Sequence, residues 1–202
     1  MPNSKASRRS YHHGDLRASL IRATTEIVAE QGLPAFTVAE AARRSGVSSG
    51  APFRHFADRE ELLAAAGTAA IDELVGRYAA AIAAAADPAA ALGAVSAAFV
   101  AFAAENPGGF ELQSGAGYVT RRHPEMQDAR RALADLLMPI GLEVAPDHDS
   151  ALDLIGAQYA LALGFAALAV RRAYEPRGGS ADYVAARARQ ATLAMVAGWR
   201  QI

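Results

Sequence analysis

The stretch from Phe36 to Leu63, FTVAEAARRSGVSSGAPFRHFADREELL, constrains the fold of this chain more than any other. Its pattern predicts a short helix capped by Thr37, because a glutamate three residues on completes a capping box. Gly46 predicts the left-handed end of that helix. A second helix is predicted to begin at Ser48, and a third follows an acidic cap at Asp58. Two short helices joined by a tight glycine turn form a helix-turn-helix, a unit whose second helix enters the major groove of DNA.

The rest of the chain also favours helix. Hydrophobic residues make up 52% of its 202 residues, so a sizeable core is available. Alanine is abundant, and it loses no side-chain entropy in a helix. Prolines and capping residues divide the chain into about nine helices, with no convincing strand and no internal repeat. We therefore predict an all-α fold with a three-helix N-terminal domain and a larger helical C-terminal domain.

The predicted domain organisation has three parts. Residues 1–14 are read as a flexible basic arm, residues 15–57 as the helix-turn-helix domain, and residues 58–202 as the larger helical domain. Asp15 is the expected cap of the first helix, which ends at Gly32. Later helices are expected at 58–86, 88–105 and 110–114, from 124 to Pro139 or Pro146, from a cap at 147 or 149 to about 174, and from a cap at Ser180 onward.

Composition and charge narrow the class of protein. The chain has no cysteine, which excludes disulfides and cysteine-ligated zinc. We see neither a signal peptide nor a run of about 18 uncharged apolar residues, so we expect a cytoplasmic protein with no membrane partner. Residues 1–56 contain eight Lys and Arg against four Asp and Glu, whereas residues 57–202 contain twelve against seventeen. A basic segment on an acidic body is expected of a module that contacts phosphate.

Candidate DNA-binding residues follow from the predicted helix-turn-helix. Its second helix would bury Val47, Pro52 and Phe56 and turn its other residues outward. The guanidinium of Arg54 is the best candidate to bond guanine O6 and N7 together or to grip a phosphate. Short polar side chains suit phosphate contacts that set the register. The candidates are Thr37, Ser48, Ser49, Gly50, Ala51, Phe53, Arg54, His55 and Arg59, together with Lys5, Arg8 and Arg9 of the arm.

Several of these candidates have an ordinary structural alternative. Phe53 is equally a core aromatic, and His55 is equally a satisfied histidine at a helix interface. The three basic residues of the arm fit an ordinary chain terminus as well as a groove contact. Arg43 and Arg44 fit a solvated helix face better than a DNA contact.

The same residues resemble the TetR family of bacterial transcriptional regulators. The capped helix at Thr37, the Gly46-Val47-Ser48 turn, the pair Phe53 and Phe56, and the restart at 58–63 carry the resemblance. The stretches SYHHGDLR (10–17) and GAPFRHFADREELL (50–63) are similar to one subgroup of that family. This chain differs by having Pro52 and Phe53 where the family usually has Leu and Tyr.

The resemblance implies a homodimeric DNA-binding regulator that needs no cofactor. A C-terminal domain would bind a small apolar or amphipathic effector and form the dimer. Effector binding would spread the two reading heads, so that a repressor leaves its palindromic operator. Candidate effector-binding residues are Phe99, Phe102, Phe110, Tyr118, Met126, Met138, Tyr159 and Phe165. For each of them singly, ordinary core packing is an alternative.

The last two long helices carry apolar stripes. Two such hairpins from two chains would form a four-helix bundle around a two-fold axis. The alternative is that both stripes pack inside their own subunit. Candidate dimer-interface residues are Leu152, Ile155, Val184, Ala188, Ala191, Met195 and Trp199.

Enzyme chemistry has little support in the sequence. No glycine-rich phosphate loop, nucleophile elbow or HExxH motif is present. His123 and His148 have acidic neighbours that fit helix caps, and no set of metal ligands accompanies them. Two other functions stay open. One is an all-helical ligand-binding or interaction protein with a non-reading helix-turn-helix, which Pro52 favours, and the other is a helical enzyme with a buried acid–base pair.

Overall fold

The computed structural model describes residues 13–115, 123–173 and 179–199, which form eight α-helices and no strand. Two single turns of 3₁₀ helix, Leu33–Ala35 and Pro52–Arg54, lie between the first helices. The predicted all-α fold is confirmed, with eight helices in the described residues against about nine predicted. They are α1 (His13–Gln31), α2 (Val38–Arg44), α3 (Arg59–Ala83), α4 (Pro88–Glu105), α5 (Pro107–Gly115), α6 (Pro124–Val144), α7 (His148–Val170) and α8 (Ala181–Trp199).

The N-terminal unit packs α1, α2 and the first turns of α3 around one apolar cluster. Leu20 and Ile27 of α1 meet Phe36 and Leu62 there, and all four are at most 1% exposed. The Thr37 hydroxyl accepts a hydrogen bond from the Glu40 amide at 3.2 Å, so the predicted cap of α2 is confirmed. The backbone after α2 turns through a glycine with a φ of 70°, the left-handed residue predicted at position 46.

The second helix of the helix-turn-helix differs from the prediction. An α-helix beginning at Ser48 is wrong: residues 49–51 form a turn, and a single 3₁₀ turn follows at Pro52–Arg54. The reason is the place of the proline. With Ser48 as the cap, the residue four positions on would donate the first α-helical hydrogen bond to its carbonyl, and proline has no N–H. The Ala51 amide donates to the Ser48 carbonyl instead, at 3.0 Å, in the tighter 3₁₀ pattern.

The C-terminal unit is built around α4. This helix packs against α3, α6, α7 and α8, and its Phe99 and Phe102 are at most 1% exposed. A buried polar triad joins three of these helices: Ser96 of α4, Gln158 of α7 and Thr192 of α8. The Ser96 and Thr192 hydroxyl oxygens are 2.8 Å apart, and the Gln158 amide donates to the Ser96 hydroxyl at 2.7 Å. Because every buried polar group needs a partner, the triad fixes the register of the three helices.

Helix α3 belongs to both units. Its first two turns pack in the N-terminal cluster, whereas Ala70, Leu74 and Tyr78 pack in the C-terminal core. Burial raises the pKa of the Tyr78 hydroxyl. Leu112 of α5 also enters the N-terminal cluster. The apolar core therefore continues past residue 58, and the three-part division of the chain stays a prediction.

Helix ends agree with the prediction where a side-chain cap sets them. Asp58, Asp87, Asp147 and Ser180 each accept a hydrogen bond from the amide three residues on. The predicted cap at Asp15 is wrong, because α1 begins two residues earlier. Ends predicted from breaking residues or from periodicity alone are less accurate: α3 ends at 83 and α7 ends at 170. Of the two ends predicted for α6, Pro146 agrees and Pro139 is wrong, because α6 runs through Pro139 to 144. Packing of the last turn of α6 against α7 explains the last case.

Two helices in the described residues, α4 and α7, are long and apolar enough to cross a membrane by length and composition. This differs from the prediction that no such stretch exists. Half of the α4 stretch is buried among other helices, whereas only 28% of the α7 stretch is. Helix α7 therefore leaves much of an apolar face uncovered in the single chain.

Candidate nucleic-acid interface

The residues between α2 and α3 form a projecting tip, which we define as residues 47–57. Pro52 and Phe56 are buried, and Val47 packs at the edge of the N-terminal cluster. The inward orientation of these three side chains agrees with the predicted buried side of the second helix. They hold the tip against the body of the domain although it contains no α-helix.

The outward side of the tip carries most of the predicted DNA-binding residues. Phe53 is 56% exposed, so its side chain does not fill the core. Arg54 is exposed, and the structure shows no ion pair for it within the described part of the chain. Ala51 and His55 are half-buried beside it. Ser48, Ser49 and Gly50 are also exposed, so the loop brings polar, aromatic and cationic groups to one surface.

Arg54 and His55 also line a concave surface between the tip and the start of α1. Its other lining residues include Leu16 and Gly46, and its volume is about 650 Å³. A hydroxyl at Ser48 and a guanidinium at Arg54 on one concavity are suited to phosphate and base-edge contacts.

The two arginines of α2 are engaged within the protein. Arg43 binds the Glu40 carboxylate through two nitrogens, each at 2.7 Å. Arg44 binds the same carboxylate at 3.1 Å and reaches Glu30 of α1 at 2.6 Å. The hydrogen bonds from Arg43 and then Arg44 lower the pKa of Glu40 to about 2. This network ties α2 to α1. Arg43 lies on a solvated helix face as predicted, whereas Arg44 is largely covered by its two ion pairs.

Arg59 has a structural position that the sequence did not indicate. Its guanidinium donates to the carbonyl oxygens of Phe36 at 3.1 Å and Leu33 at 2.9 Å. It also lies 5.5 Å from the centre of the Phe36 ring. Arg59 therefore fastens the start of α3 to the connection between α1 and α2. Thr37 is exposed at that connection, but its hydroxyl already caps α2.

Helix α5 connects the tip's supporting helices to the C-terminal unit. Gly108 lies so close to α1 that a Cβ there would be 2.1 Å from the Thr25 carbonyl oxygen. The Glu111 carboxylate accepts a hydrogen bond from the Leu33 amide at 2.7 Å. These contacts span more than seventy positions of sequence, so no local pattern could have indicated them.

The predicted effector-binding residues within the described part of the chain differ in burial. Phe99, Phe102 and Met126 are at most 1% exposed and fill the core. Phe99 packs against the ring of Phe110 with 5.9 Å between centroids, and against Tyr159 with 5.8 Å. Phe110, Met138 and Phe165 are half-buried and Tyr159 is 41% exposed, so these four stay candidates. Tyr118, like Lys5, Arg8 and Arg9, lies outside the described residues.

The predicted dimer-interface residues fall into two groups. Val184 and Ala188 are at most 2% exposed and pack in their own chain's core, which is the alternative reading of the α8 stripe. Leu152 is 48% exposed. Ile155, Ala191, Met195 and Trp199 are half-buried, and all but Ala191 pack at the edges of the apolar clusters.

The described residues bear on the alternatives of a metal site and of a buried acid–base pair. They contain no group of three or more His, Asp or Glu side chains placed to hold a metal ion. His148 lies 3.8 Å from the carboxylate of its neighbour Asp149 on an exposed helix start, which is no enclosed catalytic pair.

Comparison with known proteins agrees with this description of the N-terminal unit. Residues 20–66 match the family model of bacterial regulatory proteins, tetR family. The N-terminal domain of this chain is a TetR-family domain. The Pro52–Arg54 turn and the exposed Arg54 lie inside the matched range of this TetR-family domain, as do the α2 cap and the Gly46 turn.

Solved structures extend the TetR-family likeness to the fold of the whole chain. A protein of unknown function from Rhodococcus sp. RHA1 has a TM-score of 0.75 and 26% identity, covering 93% of this chain and 98% of its own. A TetR family transcription regulator from Marinobacter aquaeolei VT8 has a TM-score of 0.71 and 18% identity, with coverage of 90% and 95%. FadR from Bacillus subtilis, solved in complex with stearoyl-CoA, has a TM-score of 0.67 and 14% identity, covering 89% of this chain and 96% of its own. A search of curated proteins finds no significant match. The chain thus has a TetR-type transcriptional regulator fold.

Proposed function

We propose that this protein is a sequence-specific transcriptional repressor that binds a palindromic operator as a homodimer. The observation that carries the proposal is the tip at residues 47–57. Its buried side is fixed to the domain by Pro52 and Phe56, while Arg54 stands exposed on the other side with no partner in the described chain. An exposed, unpaired guanidinium on a backbone that Pro52 and Phe56 anchor is suited to reading a guanine or binding a phosphate.

Pro52 bears on the alternative of a non-reading helix-turn-helix. It shortens the second helix but is itself buried, and Val47 and Phe56 on either side of it pack in the N-terminal cluster. The groove-facing groups stay exposed on a short, stiff loop. The proposal therefore keeps DNA reading and assigns it to a 3₁₀ turn.

The uncovered face of α7 supports the homodimer. Leu152, Gly156, Ala160, Gly164 and Leu168 recur every four residues, and all are exposed. Such spacing places them along one side of the helix. A monomer in water rarely leaves a long apolar stripe uncovered, and small residues let a second helix approach closely. A two-fold partner would bring the same stripe of another copy against it.

Release by a small molecule is the regulatory part of the proposal. The fold neighbour FadR was solved with stearoyl-CoA, which makes an apolar or amphipathic effector reasonable for this fold. Contacts of α5 with α1 at Gly108, and with the 3₁₀ turn after α1 at Glu111, give the C-terminal unit a direct connection to the helices that support the tip. An effector that favours a different placement of α5 would lower operator affinity. We propose that this regulation takes place in the cytoplasm, with access to chromosomal DNA.

The experiment that tests the function is binding selection on a random-sequence DNA library at moderate salt, followed by sequencing. We expect enrichment of a palindrome whose half-sites lie about one helical turn apart, ~34–36 Å, or somewhat more for a wide dimer. Binding without enrichment would favour the ligand-binding or interaction protein with a non-reading helix-turn-helix. No binding would contradict the proposal outright.

A further inference from the structure

Residues 37–58, which we call the helix-turn-helix segment, contain α2, the glycine turn and the tip. The residue immediately before this segment, Phe36, is in contact with the residue immediately after it, Arg59. The Arg59 guanidinium donates to the Phe36 carbonyl oxygen at 3.1 Å and lies 5.5 Å from the centre of the Phe36 ring. One side chain therefore closes the base of the segment that carries most of the predicted DNA-binding residues.

A carboxylate from α5 holds the same base from another side. Residues 32–36, which we call the α1–α2 connection, contain the 3₁₀ turn Leu33–Ala35, and Gly32 stands at the cap position of that turn. Glycine has no side chain with which to cap a turn. The Leu33 amide donates instead to the Glu111 carboxylate at 2.7 Å, across 78 positions of sequence. The cap of this turn thus comes from a distant helix.

The two charged side chains match the polarity of the Leu33 backbone. Its amide faces the Glu111 carboxylate, and its carbonyl oxygen accepts a second bond from the Arg59 guanidinium at 2.9 Å. Hydrogen bonds with one ionised partner are about twice as strong as those between neutral groups. Helix α5 also places Phe110 against the C-terminal core. The α1–α2 connection is therefore clamped between α3 and a helix that packs in both units.

This clamp matters because little apolar packing holds the helix-turn-helix segment. Its fully buried side chains are those of Ala41, Ala42, Pro52 and Phe56. Only the last of these is large. Helix α2 follows the α1–α2 connection directly, so a shift of the connection moves α2 and the tip with it. Polar contacts at the base should thus have a measurable share in fixing where the tip stands.

We propose that Arg59 and Glu111 are positioning residues for operator binding, which act on the backbone of Leu33 and Phe36 rather than by contacting DNA. The inference deepens the proposed function and rests on it, because it names the side chains through which the C-terminal unit controls the placement of the tip. Without the clamp, the placement that reads DNA is only one of several. Apparent operator affinity then falls in proportion to the population of that placement.

Arg59→Lys and Arg59→Met separate a positioning role from a phosphate contact. Lysine binds phosphate as a point charge, but it lacks the planar fork that reaches two carbonyl oxygens. Fluorescence anisotropy on the selected palindrome should show affinity on the order of tenfold lower for Arg59→Met and at least about threefold lower for Arg59→Lys. The salt dependence of binding should keep its wild-type slope in Arg59→Met, whereas loss of a phosphate contact would reduce that slope by about one.

Glu111→Ala removes the acceptor of the Leu33 amide, and Glu111→Gln keeps an oxygen in its place. Removing negative charge favours binding to DNA in general, so the control must change the charge equally. Glu105→Ala is that control, since Glu105 at the end of α4 pairs with Arg77 of α3. We expect operator affinity on the order of tenfold lower in Glu111→Ala than in Glu105→Ala, with most of the loss restored in Glu111→Gln.

A measurement without DNA separates this inference from the proposed function. The amides of Val47 and Phe56, near the two ends of the tip, donate to backbone carbonyl oxygens at 3.1 and 3.0 Å. Their hydrogen exchange should quicken in Arg59→Lys and in Glu111→Ala, because the base of the segment opens more often. Amides in the middle of α4 should keep wild-type rates, which a general loss of stability would not allow.

Three outcomes overturn the inference. They are wild-type affinity in Arg59→Lys, a salt slope lowered by about one in Arg59→Met, and equal operator affinity in Glu111→Ala and Glu105→Ala. Circular dichroism checks that each variant keeps its helix content, and Arg59→Lys decides where Arg59→Met does not fold. Failure of the proposed function has a different signature: no palindrome is selected, yet hydrogen exchange at the tip still quickens in the variants.

Discussion

The tip at residues 47–57 and the three-helix core of α4, α7 and α8 are held by different forces. The core rests on burial of large side chains, such as Phe99, and on one satisfied polar triad. The tip rests on two buried anchors, Pro52 and Phe56, and on the caps and ion pairs of the helices that flank it. A DNA-binding surface therefore depends on where its side chains are held rather than on how much apolar surface it buries. Its outer side chains stay free for DNA because they contribute little to stability.

The largest loss of stability is expected from a substitution in the core. Phe99→Ala removes a fully buried ring that contacts Phe110 and Tyr159, and it should lower the free energy of unfolding by about 3–5 kcal/mol. Phe53→Ala removes an exposed ring and should change stability by less than about 0.5 kcal/mol. Chemical denaturation of both variants checks the pair. A similar loss of stability in the two variants would break the comparison.

The contact of α5 with α1 gives the next effect on stability. Gly108→Ala would place a Cβ 2.1 Å from the Thr25 carbonyl oxygen, so α5 must move away from α1. We expect a loss of about 1–3 kcal/mol in thermal or chemical unfolding, as for other overpacked sites.

Gly76→Ala in the middle of α3 is the control for that substitution. A Cβ added at Gly76 would have no neighbouring atom within 4 Å, and alanine favours a helix interior over glycine by up to about 1 kcal/mol. Gly76→Ala should therefore keep or raise stability. A Gly108→Ala protein as stable as this control would show that the close approach of α5 to α1 is not required.

Arg54→Ala tests whether the tip contributes to operator affinity without contributing to stability. The side chain is exposed, so stability should not change, while operator affinity should fall by about 1–3 kcal/mol, or roughly 5- to 150-fold. Fluorescence anisotropy on the selected palindrome measures it. Arg131→Ala, at another exposed arginine on α6, is the control and should bind as the wild type does. Wild-type affinity and sequence preference in the Arg54 variant would remove Arg54 from the reading set.

The smallest expected effect is on the pH dependence of stability, through the ion pairs of Glu40 beside the tip. Hydrogen bonds from Arg43 and Arg44 hold the pKa of Glu40 near 2, below its ordinary value of 4.5. A carboxyl whose pKa is lowered by folding stabilises the protein above pH 4.5, and that contribution is lost as the pH falls towards 2. Arg43→Gln should raise the pKa of Glu40, measured by NMR titration. The same pKa in this variant would show that the exposed pair is not maintained in solution.

Sequence patterns predicted the helices with side-chain caps and the buried side of the tip. Asp58, Asp87 and Asp147 set helix starts through bonds to the third residue on, a signal that is local. The length of the second helix was missed because the consequence of Pro52 depends on which residue caps that helix. The positions of Arg59 and Glu111 were missed because their partners are distant in sequence. Whether α8 residues face a partner or their own core could not be read from a stripe, since one apolar stripe can pack inside its own chain or against a second copy.

The most direct test of DNA reading by this tip is competition binding to the selected palindrome and to a scrambled duplex of the same composition, across a range of salt concentrations. We predict that the palindrome binds at least about 10³-fold more tightly at physiological salt, while affinity for the scrambled duplex falls steeply as salt rises. Equal affinities for the two duplexes at every salt concentration would contradict sequence-specific reading by the tip.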